Sequence, residues 1–313
     1  MKIVFLDRKS IGEDLDLSNF ENFGEVVNYD FTYPKEVPER VTDADIIVVN
    51  KTLINEETVG SAENLKLVCV TATGTNNLDK EYLESRGIAW RNVAGYSTDS
   101  VAQHTFAMLF YLYEHLPYYD HYVSSGAYIA DRLFTHFERN YHELAGKVWG
   151  IIGFGAIGRR VAVIAASFGC RVQYYSTSGK NHNGGDIREV GFDELLRTSD
   201  IISIHAPLNE NTEGLMNKEA FEKMKPTSIL LNLGRGPIIN EADLVWAIEN
   251  EQIAAAALDV LSEEPMRREN PMTALAWDER LLITPHIAWA SVEARRRLMD
   301  IIYMQIKDFL ANQ

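Results

Sequence analysis

Cysteine is scarce in this chain, with two residues, Cys69 and Cys170, among 313. Two thiols cannot supply a cysteine-rich zinc site or a disulfide framework. Cys69 lies in the apolar run LKLVCV and Cys170 follows Gly169 at the start of a strand. Both read as small buried hydrophobes of a reducing compartment. Long apolar runs are missing, since nothing approaches the roughly 20 residues that span a bilayer. The opening MKIVFLDRKS turns polar too early for a signal peptide and reads as a first strand. Positive charge is in deficit: 30 Lys and Arg stand against 45 Asp and Glu, a formal net charge of −15. That argues against nucleic acid as a main partner, because phosphate neutralisation needs a basic surface. His121, His136 and His142 are scattered without metal-ligand spacing, so no metal is expected. The expectation is a cytoplasmic protein with neither membrane nor nucleic acid as partner, whose anionic ligands need a local positive site.

What is present is the balance of a soluble globular protein, 46% hydrophobic and 24% charged. The length suggests two domains. Short apolar runs alternate with helical patterns: KIVFLD, EVVNY, DIIVVN, LKLVCV and IAWRNV, then KVWGIIG, RVQYYS, DIISIHA, SILLNLG, AAAALDV and LLITPH. Continuous apolar strands separated by helices imply parallel sheets covered on both faces. The fold class expected is α/β, with two doubly wound parallel-sheet domains. One is a Rossmann dinucleotide-binding domain and the other a flavodoxin-like substrate domain. A helix from Ser97 to His115 separates the two series. The last helical stretch, from Ser291, folds back on the first, giving a substrate domain of residues 1–97 plus 291–313 and a cofactor domain of 98–290. Within the latter, residues 117–145 hold Tyr118, Tyr119, Tyr122, Tyr128, Phe134 and Phe137. These aromatics suit packing against a second subunit rather than a cofactor.

Gly153-Phe154-Gly155-Ala156-Ile157-Gly158 is a G-x-G-x-x-G that follows a strand and opens a helix. Without that context it is only a glycine-rich turn. Within it, the first glycine permits the turn, the second lets backbone approach a pyrophosphate, and the third lets the helix sit close to the sheet. A cofactor with a free ribose 2′-hydroxyl calls for an acidic residue at the end of the next strand. That strand instead ends Ser176-Thr177-Ser178-Gly179-Lys180, with no Asp or Glu from Arg171 to Asn181. Ser176, Thr177 and Lys180 suit a 2′-phosphate, so NADP is favoured over NAD. The alternative is that this loop is merely solvated and NAD binds through its other contacts.

Three motifs close later strands: NLGRG with Arg235, LDVLSEEP with Asp259 and Glu264, and TPHIAW with His286. Open α/β sheets bind ligands at such strand ends. An Arg binds a carboxylate and polarises a carbonyl, a His moves a hydroxyl proton, and a carboxylate holds the imidazole. Singly, each has a plainer reading: a surface charge, a helix cap, a core histidine. In this order after a dinucleotide turn they form a set.

On GFGAIG, HAPLNENTEGLMN, NLGRGPIINEADL, LDVLSEEP and TPHIAW, the sequence resembles the D-isomer-specific 2-hydroxyacid dehydrogenases over nearly its whole length. ATGTNN, GYSTDSVAQHTFA and HIAWAS are most similar to the glycerate dehydrogenase and hydroxypyruvate reductase branch. The resemblance implies a homodimer and an oxidoreductase that moves a hydride between a nicotinamide cofactor and a small 2-keto or D-2-hydroxy acid. It assigns Arg235 to substrate binding, Glu264 to orienting the histidine, and His286 to acid–base chemistry. Thr73 and Gly74 would offer amides to the substrate carboxylate, with Asn50 and Trp289 shaping the pocket. Ala206, Pro207, Thr212, Leu233, Gly234 and Asp259 would line the cofactor beside the glycine turn. The alternative is a dinucleotide-sensing regulatory binding protein of the same fold.

Overall fold

The computed structural model describes residues 1–180 and 185–312. Their twelve strands are β1 (Lys2–Phe5), β2 (Glu25–Asn28), β3 (Ile46–Val49), β4 (Leu67–Val70), β5 (Ala89–Arg91), β6 (Val148–Ile152), β7 (Arg171–Tyr175), β8 (Arg188–Glu189), β9 (Ile201–Ile204), β10 (Ile229–Asn232), β11 (Ala255–Leu258) and β12 (Leu281–Ile283). The chain divides into two units: Met1–Ser97 with Trp289–Gln313, and Thr98–Ala288.

The first unit is a five-stranded parallel sheet in the order β2-β1-β3-β4-β5, the flavodoxin-type order. Every residue of β3 (IIVV) and β4 (LVCV) is buried, as a strand covered on both faces requires. One face packs Phe5, Phe20, Val48 and Leu67 against Leu298, Ile302 and Ile306 of the helix Val292–Ala311. Those helical residues recur every four positions and so share one face. Ser291 caps this helix by accepting the Ala294 N–H. The other face packs Val4, Ile47 and Val68 against Val37, Val59 and Leu83.

The second unit is a seven-stranded parallel sheet in the order β12-β11-β10-β9-β6-β7-β8. From β6 the chain runs outward through β7, then returns to β9 on the other side. The reversal between β6 and β9 is the topological switch point of a Rossmann sheet, and ligands bind outside the strand ends there. Trp149 of β6 is fully buried, and its Nε1–H donates to Ser203 Oγ at 2.9 Å. The two-residue β8 was not among the expected strands, being too short to carry a period. The helix Thr98–Tyr113 ends before Pro117. Pro117 then sits in the first turn of a new helix, Leu116–Ser124, where its missing N–H costs nothing. With Ala127–Ala130 that helix forms an aromatic arm.

Burial pushes the Cys69 thiol up to about 12 and the Cys170 thiol up to about 11. Both stay protonated and inert at neutral pH. Among the described residues no helix is long and apolar enough to cross a membrane. Trp149→Ala empties the space against Phe106 of the helix Thr98–Tyr113 and orphans Ser203. A loss of about 3–5 kcal/mol is expected in denaturant unfolding.

Candidate active site

The glycine turn is tied to its neighbours at backbone level. Gly153 has φ +90°, a conformation that suits glycine, and a Cβ there would lie 2.6 Å from the Ala206 nitrogen. A Cβ on Gly234 would lie 2.8 Å from the Ala206 oxygen. Ala206 is thus gripped between the ends of β6 and β10, and no larger residue fits at either contact. Gly158 packs the helix Ala156–Ser167 onto the turn, since a Cβ would sit 2.3 Å from the Gly153 oxygen. A Cβ on Gly155 would meet nothing within 4 Å, so the turn leaves room there for an approaching ligand. Ala156 and Ile157 open the helix, whose first amides have no intrahelical acceptor and whose dipole favours an anion. Phe154 stacks on Tyr174 at 3.9 Å, which fixes the turn against β7 and the Ser176 that follows it.

Two buried polar groups on this edge lack partners among the described residues: the Oγ of Ser176 and both ring nitrogens of His205. They follow β7 and β9, flanking the glycine turn. Buried polar groups are rarely left unpaired, and a ligand or an ordered water supplies the partner that the protein does not. With the open space at Gly155, they fit a nicotinamide dinucleotide. Burial pushes the His205 imidazole down to about 3, so it is neutral at physiological pH. Thr177 is half-buried and Lys180 exposed, as an adenosine-end contact requires, while Pro207 is exposed and Leu233 buried. Thr212 is wholly enclosed, its hydroxyl donating to the Pro207 oxygen at 2.7 Å and accepting from the Asn209 N–H at 2.8 Å. It shapes the loop after β9.

Arg235, Glu264 and His286 follow the adjacent strands β10, β11 and β12. Asn232 brackets the first loop, accepting the Gly234 N–H at 3.1 Å and donating to the Arg235 oxygen at 3.0 Å. The Arg235 guanidinium donates to the Gly234 oxygen at 2.8 Å. Among the described residues no carboxylate pairs with it, leaving its charge available to an anion. Gly236 seats this loop against the next, because a Cβ there would lie 1.9 Å from the Leu261 carbonyl carbon. Glu241 braces that second loop through the Ser262 N–H at 2.7 Å and Asn270 Nδ2 at 2.8 Å. Glu264 Oε1 accepts the Leu261 N–H at 3.0 Å, and Oε2 meets His286 Nδ1 at 2.7 Å. A carboxylate only accepts, so Nδ1 carries the proton and Nε2 faces away to exchange one.

Asp259 is 2% exposed. Its Oδ1 accepts the Thr284 hydroxyl at 2.7 Å and the Ile287 N–H at 2.8 Å, and its Oδ2 accepts the Ala288 N–H at 2.9 Å. In the first unit, Thr73 Oγ1 donates to the Val93 oxygen at 2.9 Å, and the Thr73 oxygen accepts from Asn92 Nδ2 at 2.7 Å. No acceptor among the described residues takes the Thr73 or Gly74 N–H. Asn50 is buried and its Nδ2 faces the Thr71 oxygen at 3.4 Å. Trp289 packs edge-on to Tyr96, with centroids 6.3 Å apart. A cavity of about 490 Å³ in the second unit is lined by Tyr111, His115, Tyr118, Met266, Trp277 and Ile283, and holds none of these catalytic candidates. Glu241, Thr284 and His205 escaped the sequence reading as site residues although each lies in a quoted motif. His104 escaped too, although it lies in the quoted GYSTDSVAQHTFA.

The family profile for the D-isomer specific 2-hydroxyacid dehydrogenase NAD binding domain matches residues 106–288. The chain is 39% identical over 318 aligned positions to a hydroxypyruvate reductase of Blautia hydrogenotrophica, covering 99% of this chain and 97% of that protein. It is 32% identical over 313 positions to a glycerate dehydrogenase of Methylorubrum extorquens, covering 100% and 97%. Among solved structures, an acyclic imino acid reductase in complex with NADPH and D-Arg superposes with a TM-score of 0.87 at 30% identity, covering 100% and 98%. The chain belongs to the D-isomer-specific 2-hydroxyacid dehydrogenase family. It is an oxidoreductase that works with a nicotinamide cofactor.

Gly236→Ala forces the Arg235 loop away from the Leu261–Ser262 backbone. Far-ultraviolet circular dichroism is expected to stay native while kcat/KM falls about 100-fold, the scale of a 1 Å misplacement.

Proposed function

We propose that the enzyme reduces a small 2-keto acid, with hydroxypyruvate and glyoxylate the leading candidates, to the D-2-hydroxy acid. The observation that carries this reading is the His286–Glu264 pair at 2.7 Å beside a loop whose arginine has no carboxylate partner among the described residues. Arg235 binds the substrate carboxylate and polarises the carbonyl through its planar fork. In the first unit, the proposed substrate-binding groups are the Thr73 and Gly74 amides, Asn50 and Trp289. A nicotinamide dinucleotide held by the glycine turn would supply the hydride that the carbonyl carbon accepts. His286 gives its Nε2 proton to the carbonyl oxygen as the negative charge develops there, and Glu264 steadies the imidazolium before transfer. In the oxidative direction neutral His286 removes the hydroxyl proton.

The reading extends to cofactor and assembly. Gly153, Gly155, Gly158, Ala206 and Gly234 cradle the dinucleotide. Ser176, Thr177 and Lys180, with no carboxylate among them, favour NADPH, and Asp259 borders the nicotinamide end. The arm exposes Ile129 at 89% and Phe134 at 89%, and Trp277 of the same unit stands 99% exposed. Apolar side chains in that number mark a subunit interface, and the proposed partner is a second copy of this chain. Sedimentation at twice the chain mass tests this, and a monomer refutes it.

His286→Ala is expected to lower kcat about 10²–10⁴-fold while NADPH binding, read by fluorescence, is retained. Turnover near the wild-type rate removes His286 from the chemistry. Comparing kcat/KM for NADPH and NADH on a panel of 2-keto acids tests cofactor and substrate together, and a preference for NADH retires the role given to Ser176–Lys180.

A further inference from the structure

His286 has φ 54°, in the left-handed region that a side-chain-bearing residue occupies only when its surroundings hold it. The holding group is Asp259, whose two oxygens take the N–H groups of Ile287 and Ala288, the residues immediately after His286. The orientation of that carboxylate therefore decides where the imidazole points. A buried carboxylate needs donors on every side, and the third is the Thr284 hydroxyl at 2.7 Å. Met108 Sδ lies 3.9 Å from the same hydroxyl, but the charged acceptor is closer and stronger. With its proton given to Asp259, the Thr284 oxygen is left as an acceptor, and His104 Nε2 stands 3.2 Å from it. His104 Nε2 is also 3.7 Å from Asp259 Oδ1.

We propose that His104, on the helix Thr98–Tyr113, is a positioning residue. Its Nε2–H donates to the Thr284 hydroxyl, which donates to Asp259, and the carboxylate so oriented fixes the turn that presents His286. The proposal rests on reading His286 as the acid–base group. His104 touches neither substrate nor Glu264 in this chain of contacts. It acts through Thr284 and Asp259, linking the long helix to the segment after β12.

The test compares His104→Leu, His104→Gln and Thr284→Val with the wild-type enzyme by two readouts. One is kcat and KM for a 2-keto acid and NADPH. The other is amide hydrogen exchange at Ile287 and Ala288, which needs no substrate. His104→Leu is expected to lower kcat about 10- to 100-fold with little change in cofactor KM, and to speed exchange of the two amides about tenfold. Glutamine keeps an N–H donor at similar reach, so His104→Gln restores both readouts toward wild type. Thr284→Val breaks the same chain without altering the helix, and carries the test if His104→Leu fails to fold. Wild-type kcat and exchange in His104→Leu overturn the proposal, as does a His104→Gln enzyme no better than His104→Leu. Absence of wild-type turnover on any 2-keto acid refutes the dehydrogenase reading instead, and the exchange readout then still decides whether His104 holds the turn.

Discussion

Parallel strand direction is the constraint from which the second unit's chemistry follows. Each crossover returns the chain to the same edge, so successive strands release their loops at their carboxyl ends. The glycine turn after β6, Ser176 after β7, His205 after β9 and Arg235 after β10 share that edge. Asp259 and Glu264 after β11 and His286 after β12 join them. The sheet itself needs only buried apolar residues, and every residue of β9, β10 and β11 is buried. The loops carry the polar groups. Contacts that admit no Cβ then lock loop to loop: Gly153 and Gly234 on Ala206, and Gly236 on Leu261. These contacts hold Arg235 and Glu264 to the rigidity of the sheet rather than of a free loop.

Much of this was legible in the sequence. Unbroken apolar runs such as IIVV and ILLN announced parallel strands, and the order of helices between them announced the doubly wound fold. The pairing of Glu264 with His286 was anticipated from residue type and position, and the two meet at 2.7 Å. Elsewhere the signal was absent for physical reasons. The two residues of β8 are too few for any period. His104 is a single polar residue whose partner lies on another segment, and no local pattern reports a long-range hydrogen bond. His104 was passed over, yet it meets Thr284, 180 residues away in sequence.

Charge is handled locally. In a chain with a net charge of −15, the Arg235 guanidinium has no carboxylate partner among the described residues. It donates to the Gly234 backbone oxygen, which does not cancel the charge. The opposite treatment is given to His205, which burial keeps neutral, so that it can offer one donor and one acceptor without adding charge. The two histidines of this edge are thus held for different work. His286 has a carboxylate to stabilise its cation, and His205 has only apolar enclosure.

The discontinuity of the first unit has a consequence for biosynthesis. Its five strands are complete by Arg91, but one face of that sheet is covered by Leu298, Ile302 and Ile306 near the other end of the chain. During vectorial translation every residue of Thr98–Ala288 leaves the ribosome before that covering helix does. The nascent flavodoxin-like sheet therefore waits with Phe5, Val48 and Leu67 uncapped while the younger Rossmann sheet closes. In that interval it is the segment of the polypeptide most in need of a chaperone.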